Sequence, residues 1–303
     1  MKAADGPDDS PENRVGLKFG AGWHKRNFIS EVLLPTFFSK RHGKKQRPAF
    51  PPIQHGEFRI TWIGHASFLI QTPEHSILID PNWARWLKIM KRVKHAGVEH
   101  HDLPEIDLVL ITHAHFDHLD RKSLRAVARD QPIAVPENVG NLVSNLGFQR
   151  VQELLPWESF RHGHLKITLT PAKHWGARVL PDTHRGLGGL LIESAGVSVC
   201  HCGDSAYFDG FREIGQRLEI EIALLPIGAY DAPTQRDVHM NPEEALRCFQ
   251  ELNAKTMVPM HFGTFRLSYE PLDEPPARLL AEAERLKLVS HIHLLEEGIP
   301  TVF

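Results

Sequence analysis

The chain has 303 residues, near the upper limit of what one hydrophobic core organises, with 42% apolar residues and a net charge of −2. That composition excludes general disorder, a collagen-like repeat and a coiled coil, and the small net charge argues against nucleic acid as a partner. No run approaches the ~20 apolar residues that a membrane-spanning helix requires. Met1 to Arg14 carry Asp5, Asp8, Asp9 and Glu12 without an apolar run, so they do not read as a signal peptide. Of three cysteines, Cys200 and Cys202 lie too close in one extended segment to bridge, which predicts core thiols in a reduced, cytoplasmic protein. The distribution of charge is uneven. Arg14 to Arg47 hold nine Lys or Arg against one Glu, and Trp83 to Lys94 hold five basic residues and no acid. Twenty histidines invite a search for metal ligands.

In chain order, residues 1–55 read as an extension that is polar, then basic, then proline-rich, with one apolar island at Phe28 to Phe38. From Glu57 the pattern predicts consecutive antiparallel strands over 58–63, 67–71 and 76–80, then a buried strand over 106–111. Asp120 is placed to cap a helix running to Asp130. Further strands are expected at 165–170, 188–194, 197–202, 222–226 and 256–260. Asn241, Pro242, Glu243 and Glu244 form a helix start, with N-cap, N1 proline and acidic first turn in order. A last helix is expected from Pro276 to Leu288, with Leu279, Leu280, Ala283 and Leu286 on one face. No linker divides residues 56–303, which predicts one layered α/β domain.

The strongest chemical signal is Thr112-His113-Ala114-His115-Phe116-Asp117-His118-Leu119-Asp120, at the junction of the 106–111 strand and the following helix. Three imidazoles and a carboxylate within six residues, with no thiolate, suit zinc or another borderline divalent ion. Four residues cannot complete two metal sites, so further donors are expected at other strand ends. His174 follows the 165–170 strand, Asp204 follows 197–202 and His261 follows 256–260. His239 precedes the N-cap Asn241, where the positive end of a helix attracts an anion such as phosphate. The turn residue His65 reads as structural.

These residues resemble the metallo-β-lactamase fold, and more narrowly the phospholipase D family that hydrolyses N-acylphosphatidylethanolamine. Thr61-Trp62-Ile63-Gly64-His65-Ala66-Ser67, Ile79-Asp80-Pro81, Pro171-Ala172-Lys173-His174-Trp175, Gly203-Asp204-Ser205-Ala206-Tyr207, Leu225 to Tyr230, His239 to Ala245 and His261 to Phe265 carry the likeness beyond the histidine motif. The resemblance implies a four-layer αββα sandwich of the metallo-β-lactamase type over 56–303, preceded by the extension. It implies two divalent ions, Zn2+ first and Mn2+ or Fe2+ as alternatives. One would be held by His113, His115 and His174, the other by Asp117, His118 and His261, with Asp204 bridging and a water between them as nucleophile. Asp117 and His239 would be catalytic, and His239, Tyr230 and Arg178 would bind substrate. Phe116 stands where that family has tyrosine, and Val238 where it has a polar side chain.

The implied activity is a binuclear zinc phosphodiesterase of phospholipase D type acting on N-acylphosphatidylethanolamine or a related phosphodiester. A hydrolase of lactones, carboxylic esters or β-lactams would use the same metal pair. A di-iron redox role is disfavoured because His115 stands where redox relatives place a glutamate. Segments 28–47 and 83–94 mix aromatic, aliphatic and basic residues as a peripheral contact with the inner membrane surface would. The resemblance also suggests a homodimer.

Overall fold

In the strand Arg59–Gly64 (β1), Ile60 and Trp62 face one apolar cluster while Ile63 faces another. Strand Ser67–Gln71 (β2) divides Phe68 and Ile70 from Leu69, and Ser76–Ile79 (β3) divides Ile77 and Ile79 from Leu78. Successive side chains of a strand point to opposite faces, so a sheet apolar at every position must be covered on both sides. The computed structural model, which describes residues 26–179, 182, 184–234 and 237–303, shows how that is done.

The remaining strands, in chain order, are β4 (Trp86–Leu87), β5 (Met90–Lys91), β6 (Leu108–Leu110), β7 (Ile133–Pro136), β8 (Val151–Leu154), β9 (Ser159–His162), β10 (Leu165–Thr170), β11 (Gly189–Ser194), β12 (Val197–His201), β13 (Ile222–Pro226), β14 (Thr256–Met260) and β15 (Thr301–Val302). One sheet has the order β15-β1-β2-β3-β6-β7-β8 and the other β14-β13-β12-β11-β10-β9, while β4 and β5 form a separate hairpin. The helices are α1 (Leu34–Phe38), α2 (Arg121–Val127), α3 (Gly210–Arg217), α4 (Pro242–Glu251) and α5 (Glu274–Leu286). Leu124 and Val127 of α2 join Leu78, Val109 and Ile133 on the outer side of the first sheet. Phe211 and Ile214 of α3, Leu246 and Phe249 of α4 and Leu279 and Ala283 of α5 pack with the second sheet. The order helix, sheet, sheet, helix is the expected four-layer αββα sandwich.

The helix caps read from sequence are present. Asp120 accepts from the Ser123 N–H, and Asn241 with Glu244 makes a full capping box. The helix after Asp120 is shorter than expected, because Ala128 turns extended and the chain leaves through Pro132 into β7. The last helix starts two residues earlier than expected, with Pro275 and Pro276 in its first turn, and stops where Lys287 turns left-handed. Strands β4, β5, β7, β8, β9 and β15 and helices α1 and α3 were not read from the sequence.

Residues 1–25 of the expected extension lie outside the described residues. The part that follows is packed on the domain: Ile29–Leu33 forms one π-helical turn continuing into α1, with Val32 and Thr36 buried. Beyond it the chain pairs with the sandwich through bridges His42–Lys94 and Gln46–Val98.

Strand direction positions the site. β1 is antiparallel to β2, β2 to β3, and β3 is parallel to β6, so β1, β3 and β6 end at one edge. In the second sheet β10, β12, β13 and β14 likewise share a direction. Loops leaving the carboxyl ends of such strands are where α/β sheets gather ligands.

Candidate metal centre

Each of those ends supplies a polar side chain. His65 lies in the turn after β1, Asp80 follows β3, and His113 to His118 fill the loop between β6 and α2. His174 follows β10, Asp204 follows β12, His239 lies between β13 and α4, and His261 follows β14. The structure brings all seven expected ligands together. His113, His115, His174 and Asp204 each place a donor atom within 4.8 Å of the others, and a second group does the same with His65, Asp117, His118 and His261. Asp204 faces both: its Oδ2 is 3.8 Å from His113 Nε2 and 3.9 Å from His174 Nε2, and 3.1 Å from His118 Nε2 and 3.2 Å from His261 Nε2. A third group joins Asp204, His239 and His261.

The donor atoms are buried and underpaired. Among the described residues, His115 Nε2, His239 Nδ1 and Asp204 Oδ1 have no hydrogen-bond partner. Ring nitrogens crowd one another, His113 Nε2 and His115 Nδ1 at 2.9 Å, His174 Nε2 and His115 Nδ1 at 3.2 Å, so that one His115 nitrogen faces two others. An unsatisfied buried polar atom costs about 1–3 kcal/mol. A cluster of them converging on two points, all imidazole or carboxylate, fits divalent cations of the zinc class.

Charge divides the two groups. Burial, helped by the neighbouring imidazoles of His118 and His115, pushes His113 well below its ordinary pKa, and burial brings His115 down to about 4. Burial also lowers His174. In the second group burial works against charge, yet Asp204, Asp117 and Asp80 together raise His118 well above its ordinary value. Asp204 and Asp117 lift His261 to about 9 against the same burial. Burial would raise the two carboxyls, but the surrounding imidazoles hold both Asp117 and Asp204 well below the ordinary carboxylate range.

Outer partners fix the rings. Asp80 Oδ2 accepts from His118 Nδ1 at 2.6 Å and from the Thr112 hydroxyl at 2.6 Å, while its Oδ1 accepts from the Thr112 N–H at 2.8 Å. His174 Nδ1 donates to the Val238 carbonyl at 2.8 Å. Such carboxylate and carbonyl contacts set the tautomer that leaves the other nitrogen free for a cation. Asn82 Nδ2 holds the Phe116 and Asp117 carbonyls at 3.1 and 2.8 Å. Arg178 donates to the Ala114 and Leu119 carbonyls at 2.7 and 2.8 Å and lies over Phe116, with Lys88 also 4.5 Å from that ring centre. Its guanidinium is therefore engaged with the histidine loop. The Tyr230 hydroxyl donates to Glu274 at 2.6 Å under Arg278. Neither side chain is shown reaching toward the metal donors.

His65 was read as structural, and its turn does hold β1 to β2, with its N–H donating to Thr264 Oγ1 at 2.9 Å. It does more. Its Nε2 bonds Asp117 Oδ2 at 2.9 Å, and its ring lies 4.0 Å from that of His261. Burial, then His261, drive its pKa down to about 3, so it meets Asp117 as a neutral donor. Asp80, the other residue not singled out, obeys the rule that found Asp204: a carboxylate directly after an apolar strand. His65, Asp80 and His261 all have positive φ, of 57°, 43° and 63°, a strain that functional sites concentrate.

A profile of the beta-lactamase superfamily domain matches residues 75–262. The mitochondrial N-acyl-phosphatidylethanolamine-hydrolyzing phospholipase D of Saccharomyces cerevisiae is 31% identical over 272 residues, covering 84% of this chain and 56% of that protein. A metal-dependent hydrolase from Rubrobacter xylanophilus is 33% identical over 251 residues, covering 80% of this chain and 96% of its own. Among solved structures, a metallo hydrolase from the archaeon Ignicoccus hospitalis superposes with a TM-score of 0.62 at 25% identity, over 82% of this chain and 98% of that one.

Proposed function

From the premise that the chain belongs to the metallo-β-lactamase superfamily and is a metal-dependent hydrolase, we propose that it is a binuclear zinc phosphodiesterase of phospholipase D type, cleaving N-acylphosphatidylethanolamine or a related phosphodiester. His113, His115 and His174 would hold one ion and Asp117, His118 and His261 the other, with Asp204 shared. Bound there, the pair supplies Lewis acidity and lowers the pKa of water toward neutrality.

The observation that carries the phosphodiester reading is His239. Its ring stacks 5.1 Å from that of His261, and its unpaired Nδ1 lies 3.9 Å from Asp204 Oδ2. Burial holds its pKa well below the ordinary value, so a neutral imidazole is available to donate to a phosphoryl oxygen beside the ligand set. At the start of α4 the capping box occupies the Asn241 and Glu244 N–H groups and Pro242 has none, which leaves little of the helix end to bind an anion. His239 itself, and not the helix end, is the contact. Asp117 holds its position through His65 and accepts no proton of its own near neutral pH.

The named activity of the yeast relative supports the same reading. Buried free Cys200, Cys202 and Cys248 support a reduced, cytoplasmic setting. Among the described residues no helix is long and apolar enough to cross a membrane.

The test incubates zinc-loaded protein with N-acylphosphatidylethanolamine and separately with a simple lactone, using Asp204→Asn as control. Release of the N-acylethanolamine headgroup, abolished in the control, is expected. Lactone opening alone would move the substrate class to carboxylic esters.

A further inference from the structure

Two segments with the same unusual make-up meet on one surface. Helix α1 and its preceding turn expose Ile29, Leu34, Phe37 and Phe38, at 60, 50, 55 and 77%. The β4–β5 hairpin, 50 residues further on, exposes Trp86 and Ile89, at 42 and 68%. Phe37 packs 5.6 Å from Trp86 and 5.2 Å from Phe38, so the exposed rings form one patch. The arrangement is built. Lys91 Nζ donates to the Phe37 and Ser39 carbonyls, tying hairpin to helix at the point where the helix ends. The chain thus spends hydrogen bonds on holding aromatic side chains out in water.

Cations surround the patch. No acidic residue occurs from Val32 to Gly56, or from Pro81 to Val98. Several basic groups there are neutralised: Lys45 pairs with Glu99, Lys94 with Glu297, and Arg92 is buried. Lys40, Lys44, Arg85 and Lys88 remain exposed, with no carboxylate paired to them among the described residues. Aromatic residues ringed by unneutralised cations fit an anionic lipid interface, where rings enter the acyl boundary and ammonium groups meet phosphates. A protein partner covering so many cations would have to supply matching carboxylates. A second copy of this chain would face the patch with the same positive charge across a two-fold axis, which is repulsive.

The patch also touches the metal centre's rim. Lys88 at the hairpin tip lies over Phe116 of the histidine loop, and Arg92 at the hairpin base lies over Phe265, whose ring edge meets His65. On the other side, Arg26 bonds Asp231 at 2.6 Å, fastening the start of the segment to the loop between Ile227 and His239.

We propose that α1 and the β4–β5 hairpin form a docking platform for anionic phospholipid bilayers, set at the rim of the metal centre so that a headgroup reaches it from the membrane. The proposal extends the lipid-hydrolase reading but is tested without catalysis. Purified Asp204→Asn protein is floated with vesicles of phosphatidylcholine alone or with one third phosphatidylglycerol. Binding is expected to the anionic vesicles at low salt and to fall sharply at 1 M salt, where the Debye length is about 3 Å. Lys40→Gln with Lys44→Gln, both at exposed positions away from the histidine loop, should lower partitioning about 30-fold. Phe38→Ser with Ile89→Ser should lower it at unchanged salt dependence. Hydrolysis of a water-soluble phosphodiester by the same variants on the wild-type background should stay within twofold. Absence of vesicle binding, or binding indifferent to both pairs of substitutions, overturns the proposal. A wild-type dimer that Phe38→Ser and Ile89→Ser convert to monomer also overturns it, by giving the patch to a second copy. Vesicle binding without lipid hydrolysis in the active enzyme would refute the phospholipase reading and leave the platform standing.

Discussion

Substituting Asp80 by Asn isolates what the outer shell contributes, because shape is retained and only charge and one acceptor change. Asp80 is fully buried, accepts from His118 Nδ1 and the Thr112 hydroxyl through Oδ2, and from the Thr112 N–H through Oδ1. An amide has one oxygen. If that oxygen faces the Thr112 N–H, the new NH2 meets His118 Nδ1, which can then be only an acceptor, and the proton moves to Nε2, the atom that faces Asp204. If the amide flips, two N–H groups collide at Thr112. Either way one charge-assisted hydrogen bond is lost, about 1.5–3 kcal/mol. Charged to cation binding, that is a 10–100-fold loss of affinity, the range seen when such partners of a ligating histidine are removed. Competition against a chromophoric chelator measures it, with the chelated protein's melting temperature recorded alongside. Unchanged affinity in a variant that melts like the wild type would refute the reasoning that Asp80 sets the His118 tautomer.

His65→Asn tolerates the positive φ but is too short to reach Asp117; half-occupancy at limiting zinc is expected, with the group around His113 unaffected, as read by metal analysis after gel filtration. Between pH 7.5 and 9.5 chelated protein should lose stability as pH rises, whereas below 6.5 the buried neutral imidazoles of His65, His113 and His115 act the other way. The folded pKa of His261 is about 9 against an ordinary 6.5, so its contribution is complete below 6.5 and gone above 9, and His118, also raised, acts the same way. Asp117 and Asp204 act oppositely, losing their contribution only as pH falls below the ordinary carboxylate range. Zinc-loaded protein should instead bind metal more tightly on raising pH over the same interval, since protons leave as the cation enters; melting curves at pH 6, 7.5 and 9.5 with and without chelator separate the two. Gly97→Ala places a Cβ 2.3 Å from the Gly298 nitrogen and 2.4 Å from the Glu297 carbonyl carbon, so backbone must move. A loss of about 3 kcal/mol and roughly 5–10 °C in melting temperature is expected by calorimetry.

The parts of the fold that the sequence made legible are those where local chemistry and tertiary role agree. Strands β1, β2, β3, β11, β12, β13 and β14 are apolar on both faces because both faces are covered, while β10 alternates Leu165, Ile167 and Leu169 with polar residues, and they read as strands for those reasons. Strands β7 to β9 were missed because they are short and bordered by Pro132, Pro136 and Pro156, and because β8 and β9 carry polar outward residues such as Glu153 and Arg161. Helix α3 was missed because only Phe211 and Ile214 of its eight residues are buried. At the site, ligands at strand ends were recoverable because one rule, an apolar strand running into His or Asp, finds each of them. His65 escaped because it sits in a Gly-His turn that also has an evident structural task. Its bond to Asp117 joins residues 52 apart and leaves no trace in local pattern. The meeting of Phe37 with Trp86 is of the same kind. Each segment could be flagged by composition, but only the fold shows that they share a surface.

Burying five imidazoles and two carboxylates in one pocket poses a folding problem, and the opposed pKa shifts show how it is solved. Desolvation alone would neutralise every one of these groups. Instead Asp117 and Asp204 stay ionised because His118 and His261 stay charged beside them, while His113, His115 and His174, further from the carboxylate pair's shared face, give up their protons. These seven groups alone therefore balance two negative charges against two positive ones, and a cation entering the second group would take the place of protons on His118 and His261. On this account the fold precedes the metal. Asp80 and Val238 orient His118 and His174 from strand ends and loops that the two sheets fix, and the left-handed turns at His65, Asp80 and His261 are held by backbone bonds to Thr264, Leu110 and each other, with His261 N–H donating to the His65 carbonyl at 3.1 Å. The scaffold carries the strain, and the donors stand ready at neutral pH on one side and proton-loaded on the other.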